Sequence, residues 1–243
     1  MLNSFQISIK ISVLFLFFIM VINFGIIKGE KDTNEDNFSL YPLDSKPFNK
    51  TYAWWSGFWW KHMLEIPMQL NPIADNTGDL CKYGETDEVF LLAGSFGGQV
   101  ERTCTVPYDK PLLWNVISSE CSFAENPGMK SEKELRLCAE ELQNNVRQAD
   151  VIIDGKKINV ISDYRIQSPL FNMSLPKNNV FGLEEQSTQA VSDGAWVFLS
   201  NLDPGIHIIR SIGHMIDYSS PAKINFVSDA TYKLIVNDTR STN

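Results

Sequence analysis

Hydrophobic positions change their period several times along the chain, and each change predicts an element. Ile11 to Ile27 is an almost unbroken apolar run of 17 residues, interrupted by Ser12, Asn23 and Gly25 and preceded by Lys10. That is long for a leader core and short for a spanning helix, so a cleaved signal peptide over residues 1–29 and an uncleaved N-terminal anchor both fit. Residues 30–50 are polar and acidic and contain Pro42 and Pro47, which reads as a linker. From Tyr52 to Pro67 the spacing predicts a short aromatic helix stopped by proline. At about 100° per residue Trp54, Trp55, Phe58 and Trp59 share one arc, and Trp60 falls off it.

Beyond Cys81 the periodicity is that of strands. Val89–Ala93 is a continuous apolar run, as expected of a strand buried on both faces. After a Gly97-Gly98 turn, Val100, Arg102, Cys104 and Val106 alternate with polar neighbours, the signature of a half-buried strand. Leu112–Ile117 supplies another run. One clear helix follows, opened by the Ser131/Glu134 capping box and carrying Leu135, Cys138, Ala139, Leu142 and Val146 on one stripe. Val151–Val160 predicts a hairpin around Asp154-Gly155. Further strands are expected at Tyr164–Gln167, Leu170–Leu175, Trp196–Leu199, Ile206–Ile212, Lys223–Val227 and Thr231–Val236. About ten strands and one or two covering helices predict a mainly β chain, a β-sandwich or jelly-roll-like body over residues 51–237 with a 238–243 tail.

Composition sharpens this picture. Formal charge is -8, and the only charged residues among the first 29 are two lysines, so the remaining body is near -10. Phosphate backbones are held by lysine and arginine, so nucleic acid is excluded as a partner, and the only membrane contact expected is through residues 11–27 if they stay attached. The four cysteines, Cys81, Cys104, Cys121 and Cys138, all fall in the body. An even count in an exported chain reads as two disulfides, with three connectivities open; Cys81–Cys104 and Cys121–Cys138 are preferred because each closes a short loop. A zinc site is the rival, but no C-x-x-C spacing exists.

Few residues carry candidate chemistry. The aromatic helix reads first as a cover over one open side of the sandwich; if any of its rings stacks on a flat ligand such as a sugar, it is Trp60, off the arc. Arg102 shares the inward face of its strand with Cys104, so its guanidinium needs an acid partner or, failing that, a ligand carboxylate or sulfate. Arg165 lies beside Asp163 and Gln167 on one strand face and has the same two readings. Asp75 and Asp79, with Asn71 and Asn76, form an oxygen-rich loop that calcium could occupy, although Asx-turns explain them equally and no EF-hand spacing is present. No other metal or cofactor is expected: His62, His207 and His214 are too dispersed for a metal site, and catalytic motifs such as H-E-x-x-H and G-x-S-x-G are absent. Asn37, Asn49, Asn172 and Asn237 each begin a glycosylation sequon.

Taken in order, several stretches of residues 52–236 form a recognisable series. These are Trp54-Trp55 with Trp59-Trp60, Asn71-Pro72, Asp75, Gly78 and Cys81; Phe90–Gly98; Arg102–Pro107, Lys110 and Cys121-Ser122; Tyr164–Phe171; Ser192–Trp196; and Leu202–His207. The series resembles an uncharacterised family of exported bacterial and archaeal β-rich proteins, to which no activity is attached. What the resemblance implies is location and architecture. The expectation is an exported or cell-surface module, secreted or held by one N-terminal anchor, that binds a glycan or an extracellular protein, or is structural, without catalysis. The alternative is an extracellular hydrolase or lyase acting on a polysaccharide or other polymer, which requires two carboxylates and an arginine on one concave face.

Overall fold

A computed structural model describes residues 38–160, 163–217 and 224–237. The expected leader or anchor, the sequon at Asn37 and the 238–243 tail lie outside them. Ten strands form two five-stranded sheets. The first sheet contains β1 (Phe90–Leu91), β3 (Leu112–Ser122), β8 (Gln186–Leu199), β6 (Arg165–Gln167) and β7 (Phe171–Leu175), with β6 and β7 both pairing with β8. The second runs β2 (Gly98–Pro107), β10 (Ile224–Asn237), β9 (Gly205–Asp217), β4 (Val146–Ile153) and β5 (Lys156–Asn159). Both sheets are mixed, because β1 pairs with β3 and β2 with β10 in parallel.

The two sheets face each other across one core. Trp114, Val116, Val197 and Leu199 of the first sheet pack with Cys104, Val151, Ile209, Tyr232 and Leu234 of the second. In β2 the predicted alternation holds, with Val100, Arg102, Cys104 and Val106 buried and their neighbours exposed. Hairpin β4–β5 turns at Asp154 and Gly155, both at positive φ, as a type I′ turn requires. His207 fastens that turn to the start of β9: Nδ1 lies 2.7 Å from the Asp154 carboxylate and Nε2 2.9 Å from the carbonyl of Asp203.

Helix α1 (Tyr52–Leu64) covers the outer face of the first sheet. Thr51 caps its start by accepting from the Trp54 N–H, and Pro67 follows its end. Its buried Tyr52, Trp55, Trp59 and Met63 pack on Leu91, Leu113, Trp196 and Phe198, and Leu64 packs with Met173, Leu175 and Ala190. Trp54 and Phe58 instead stack on each other at the rim, so the aromatic arc is rotated from the one expected. Helix α2 (Glu132–Asn144) begins with the expected capping box, the Glu134 carboxylate accepting from Lys130 N and Ser131 Oγ. It packs Leu135 and Ala139 against Cys121 and Val191. Both preferred disulfides are present, Cys81–Cys104 and Cys121–Cys138, and they use all four cysteines, which removes the zinc reading.

Three expectations need correction. The 30–50 stretch is no loose linker from Phe38 onward. Leu40 bridges Leu199, Tyr41 N donates to Phe198 O, and Trp55 Nε1 donates to Pro47 O. Apolar Phe38 and Leu40 fasten it to the core despite its polar composition. The strands expected at Lys223–Val227 and Thr231–Val236 are, from Ile224 onward, one strand, β10, because pairing with β9 and β2 carries the backbone through Ser228-Asp229. In the same way β8 starts ten residues before Trp196, drawn out by partners on both edges.

Candidate functional site

β1 is only two residues long and pairs with β3 at Leu112 and Leu113 alone, so among the described residues β3 has no strand partner on that edge beyond Leu113. After β1 the chain crosses to the second sheet through Ala93–Gly97. Between that crossover and the bare edge of β3 lies a cavity of about 240 Å³. Its floor is Asn115, Val116, Ile117, Ser118 and Ser119, where β3 carries a bulge. Bulges redirect side chains next to binding sites, and here two consecutive residues, Val116 and Ile117, turn into the core. Trp59 and Trp60 of α1 form one wall, Met215, Phe226 and Ser228 of β9 and β10 another, and Phe181 and Phe96 complete it. Phe96 is 52% exposed at the crossover. No charged side chain lines the cavity.

Two wall residues keep a buried polar atom without a partner: the Trp60 indole N–H and the Asn115 side-chain oxygen. The Asn115 amide nitrogen donates to Ser118 Oγ at 2.8 Å, so only its acceptor is open. Gly94 makes room for this carboxamide, since a Cβ there would stand 3.0 Å from the oxygen. Trp59 differs, because its indole N–H donates to the carbonyl of Leu92 at 2.9 Å. Trp60 was the candidate stacking platform. It is half-buried instead, wedged between the α1 cluster and the Phe171/Phe181 cluster, with its indole nitrogen out of solvent.

Behind the cavity stands Arg102. It points inward and is 2% exposed. Its expected acid partner is missing: among the described residues no carboxylate pairs with it. Its guanidinium donates to the carbonyls of Asp75 (2.6 Å), Ala93 (2.8 Å), Gly94 (2.9 Å) and Ile73 (3.2 Å), and to the Tyr232 hydroxyl (2.6 Å). Neutral oxygens from two loops therefore satisfy the charge, and no anion is required. Burial raises the Tyr232 phenol above its ordinary range, which the Arg102 charge partly offsets, so the hydroxyl stays neutral. Because Ile73 and Gly94 line the cavity, Arg102 positions two of its walls.

Asp75 organises the adjoining loop. Its two oxygens accept from Thr77 N and Oγ1, Gly78 N and Leu80 N, at 2.7 to 2.9 Å. Burial opposes its ionisation, but these four donors outweigh it and hold the carboxyl below the usual range. A carboxylate so engaged has little left for a cation, and among the described residues no cluster of three ligating side chains includes Asp75 or Asp79. These bonds form the Asx-type loop that was the other reading of this stretch.

Arg165 is on β6 and pairs with Ala195 of β8, which in turn pairs with Ile117 of the cavity floor, but its side chain does not line the cavity. Its Nε and Nη2 grip both oxygens of Asp193, at 2.9 and 3.1 Å, and Nη1 donates to Asn144 of α2. Asp193 is almost fully buried, so Arg165 neutralises it and ties α2 to β6 and β8. It does not share a site with Trp60 or Arg102. His62, His207 and His214 bond to Tyr83 O, Asp154 and Asn225 respectively, each in a separate place. Asn49, Asn172 and Asn237 are all exposed.

Sequence reasoning singled out Trp60 and placed Arg102 correctly inward, but missed Asn115, the Gly94–Phe96 crossover, Phe181, Met215 and Phe226. One signal was available: Asn115 is the lone polar residue inside the Leu112–Ile117 run, where no alternation accounts for it. Among known proteins, no family model, curated protein or solved structure matches the chain.

Proposed function

We propose that the protein is an exported, non-catalytic binding module whose cavity beside β3 takes a small, uncharged, largely apolar ligand. The observation that carries this reading is the cavity: about 240 Å³, walled by Trp60, Phe181 and Phe226 and free of charged side chains. Ligand sites are typically apolar concavities with a few placed polar groups. The two disulfides suit an oxidising compartment, and the acidic body and family resemblance also support export. Among the described residues no helix is long and apolar enough to cross a membrane.

A glycan reading is less well supported, since sugar faces need many polar partners and this cavity offers few. A polymer hydrolase needs a pair of carboxylates on the cavity wall, and none stands there. The test is titration of the full oxidised chain with N-phenyl-1-naphthylamine, an uncharged dye that brightens in apolar sites. A saturable, one-to-one rise that Ser95→Trp abolishes by filling the cavity is expected. A linear rise, or one indifferent to Ser95→Trp, overturns the reading.

A further inference from the structure

The second sheet buries only one of its faces. Its inner face holds Cys104, Ile209 and Leu234 in the core. Both α1 and α2 pack on strands of the first sheet, so among the described residues no α-helix covers the outer face of the second. Cross-strand register fixes what that face displays. Ile206 lies opposite Ile235, Arg210 opposite Thr231, Ile212 opposite Asp229 and Val227 opposite His214. The middle of the face is therefore charged, with Arg210 holding Asp229 at 2.6 Å, and an apolar group stands on either side of it. Ile206 is 62% exposed, Ile208 43% and Val227 39%. Large apolar side chains left open on one face mark an interaction site.

Charge decides which partner fits. The chain carries -8, yet the described residues of this face balance, with Glu101, Asp150 and Asp229 against Lys157, Arg210 and Lys233. Lys157 bonds Asp150 at 2.9 Å, as Arg210 bonds Asp229. A basic partner finds no excess of acid here, and an anionic surface finds no excess of base. Two acidic copies of the chain repel each other, and a neutral face is where that repulsion is least. The pattern is also self-complementary. A two-fold axis beside the central ion pair sets the Ile206–Ile208 end of one copy on the Ile212–Val227 end of the other. Arg210 of each copy then faces Asp229 of the other. At ~3.3 Å per residue and ~4.8 Å between strands, the five strands offer a footprint of roughly 800 Å², about what each partner buries in a standard interface. The geometry points to a second copy of this chain, docked face to face on the outer surface of the second sheet. The cavity lies on the other side of that sheet, so this contact is independent of the ligand reading above.

Sedimentation velocity of the full oxidised chain tests it between ~1 and ~100 μM, where interfaces of this size without strong hot spots dissociate. A dimer is expected. Ile206→Lys combined with Ile208→Lys changes side chains too exposed to hold the fold, and should weaken the dimer at least about tenfold. Arg210→Asp makes the centre of the face doubly acidic, and Asp229→Arg makes it doubly basic. Each alone should be monomeric, and an equimolar mixture should restore a dimer containing one copy of each. Near-ultraviolet circular dichroism checks the fold of every variant; if a charge variant unfolds, the lysine variant alone decides. A natural protein that stays monomeric at ~100 μM overturns the proposal. A dimer that the two lysines leave intact forms elsewhere, through residues 11–27 or another face, and overturns it too. A mixture of folded charge variants that stays monomeric overturns the two-fold pairing of Arg210 with Asp229.

Discussion

The molecule has two corners, each closed by one disulfide and held by one arginine, and they solve the same electrostatic problem in opposite ways. At the Cys81–Cys104 corner, Arg102 is fully buried and surrounded by carbonyls and a phenol, while Asp75 close by is saturated with donors. At the Cys121–Cys138 corner, Arg165 is partly exposed and neutralises Asp193, while Glu120 has one buried oxygen without a partner. The first arrangement organises backbone and the second fastens side chains. Only the first touches the cavity, so the difference separates residues that shape the site from residues that hold the sandwich shut.

The largest effect that exposes this difference comes from the arginines. Arg102→Met strands four carbonyls and the Tyr232 hydroxyl, and should destabilise the fold by about 4 kcal/mol in urea titration. Arg165→Met leaves Asp193 unpaired, but at a site with partial solvent access, and should cost about 2 kcal/mol. Dye binding by the folded fraction separates them further: weakened in the Arg102 variant, whose Ile73 and Gly94 walls lose their anchor, and unchanged in the Arg165 variant. Equal dye binding in both would show that Arg102 does not position the cavity.

Next come the disulfides. Their sequence separations, 23 and 17 residues, are close, so the chain-entropy model gives each about 3 kcal/mol. Replacing Cys81 and Cys104 by alanine, or Cys121 and Cys138, should therefore lower stability by nearly the same amount. The site should not treat them alike. Cys81 ends the Asp75 loop that Arg102 ties to the cavity, whereas Cys138 lies on α2. Only the first pair of substitutions should weaken the dye. A loss of binding from both would make the cavity a property of the whole sandwich.

The two corners also differ in how far the sequence disclosed them. Disulfide pairing followed from loop length and the inward Arg102 from period-2 alternation, because both are local properties. The hairpin turn and the α2 cap were legible for the same reason. What surrounds Arg102 was not legible: its partners are carbonyls, which every residue carries, so composition pointed to an acid that was not needed. The cavity was hidden for a related reason. It exists because β1 stops after Leu91 and leaves the edge of β3 bare, and the apolar run Val89–Ala93 gave no sign of so early an end. Trp60 stood out in the sequence, but helical periodicity could not show the Phe181 segment packed against it.

The smallest effect is a difference in sign between the two acids. Glu120 is held well above the usual carboxylate range, first by burial and then by its bond to Glu125 and the charge there, with Ser122 opposing. A carboxyl raised in the fold gives its full stability below the unfolded value of about 4.3, and that stability is lost as pH rises through the folded value. Asp75, held low by its donors, contributes above about 3.9, and its contribution is lost as pH falls through the folded value. Glu120→Gln should therefore stabilise the protein at pH 7.5 by about 1 kcal/mol, a common size for one polar substitution, with the gain vanishing near pH 4. Asp75→Asn should destabilise it at pH 7.5, and that gap should narrow only below pH 4. Urea titrations of both variants from pH 3 to 8 read the two slopes directly. A Glu120→Gln protein that is less stable than the natural one at pH 7.5 would mean that the ionised carboxylate has a partner at that corner, and the contrast between the two corners would then be wrong.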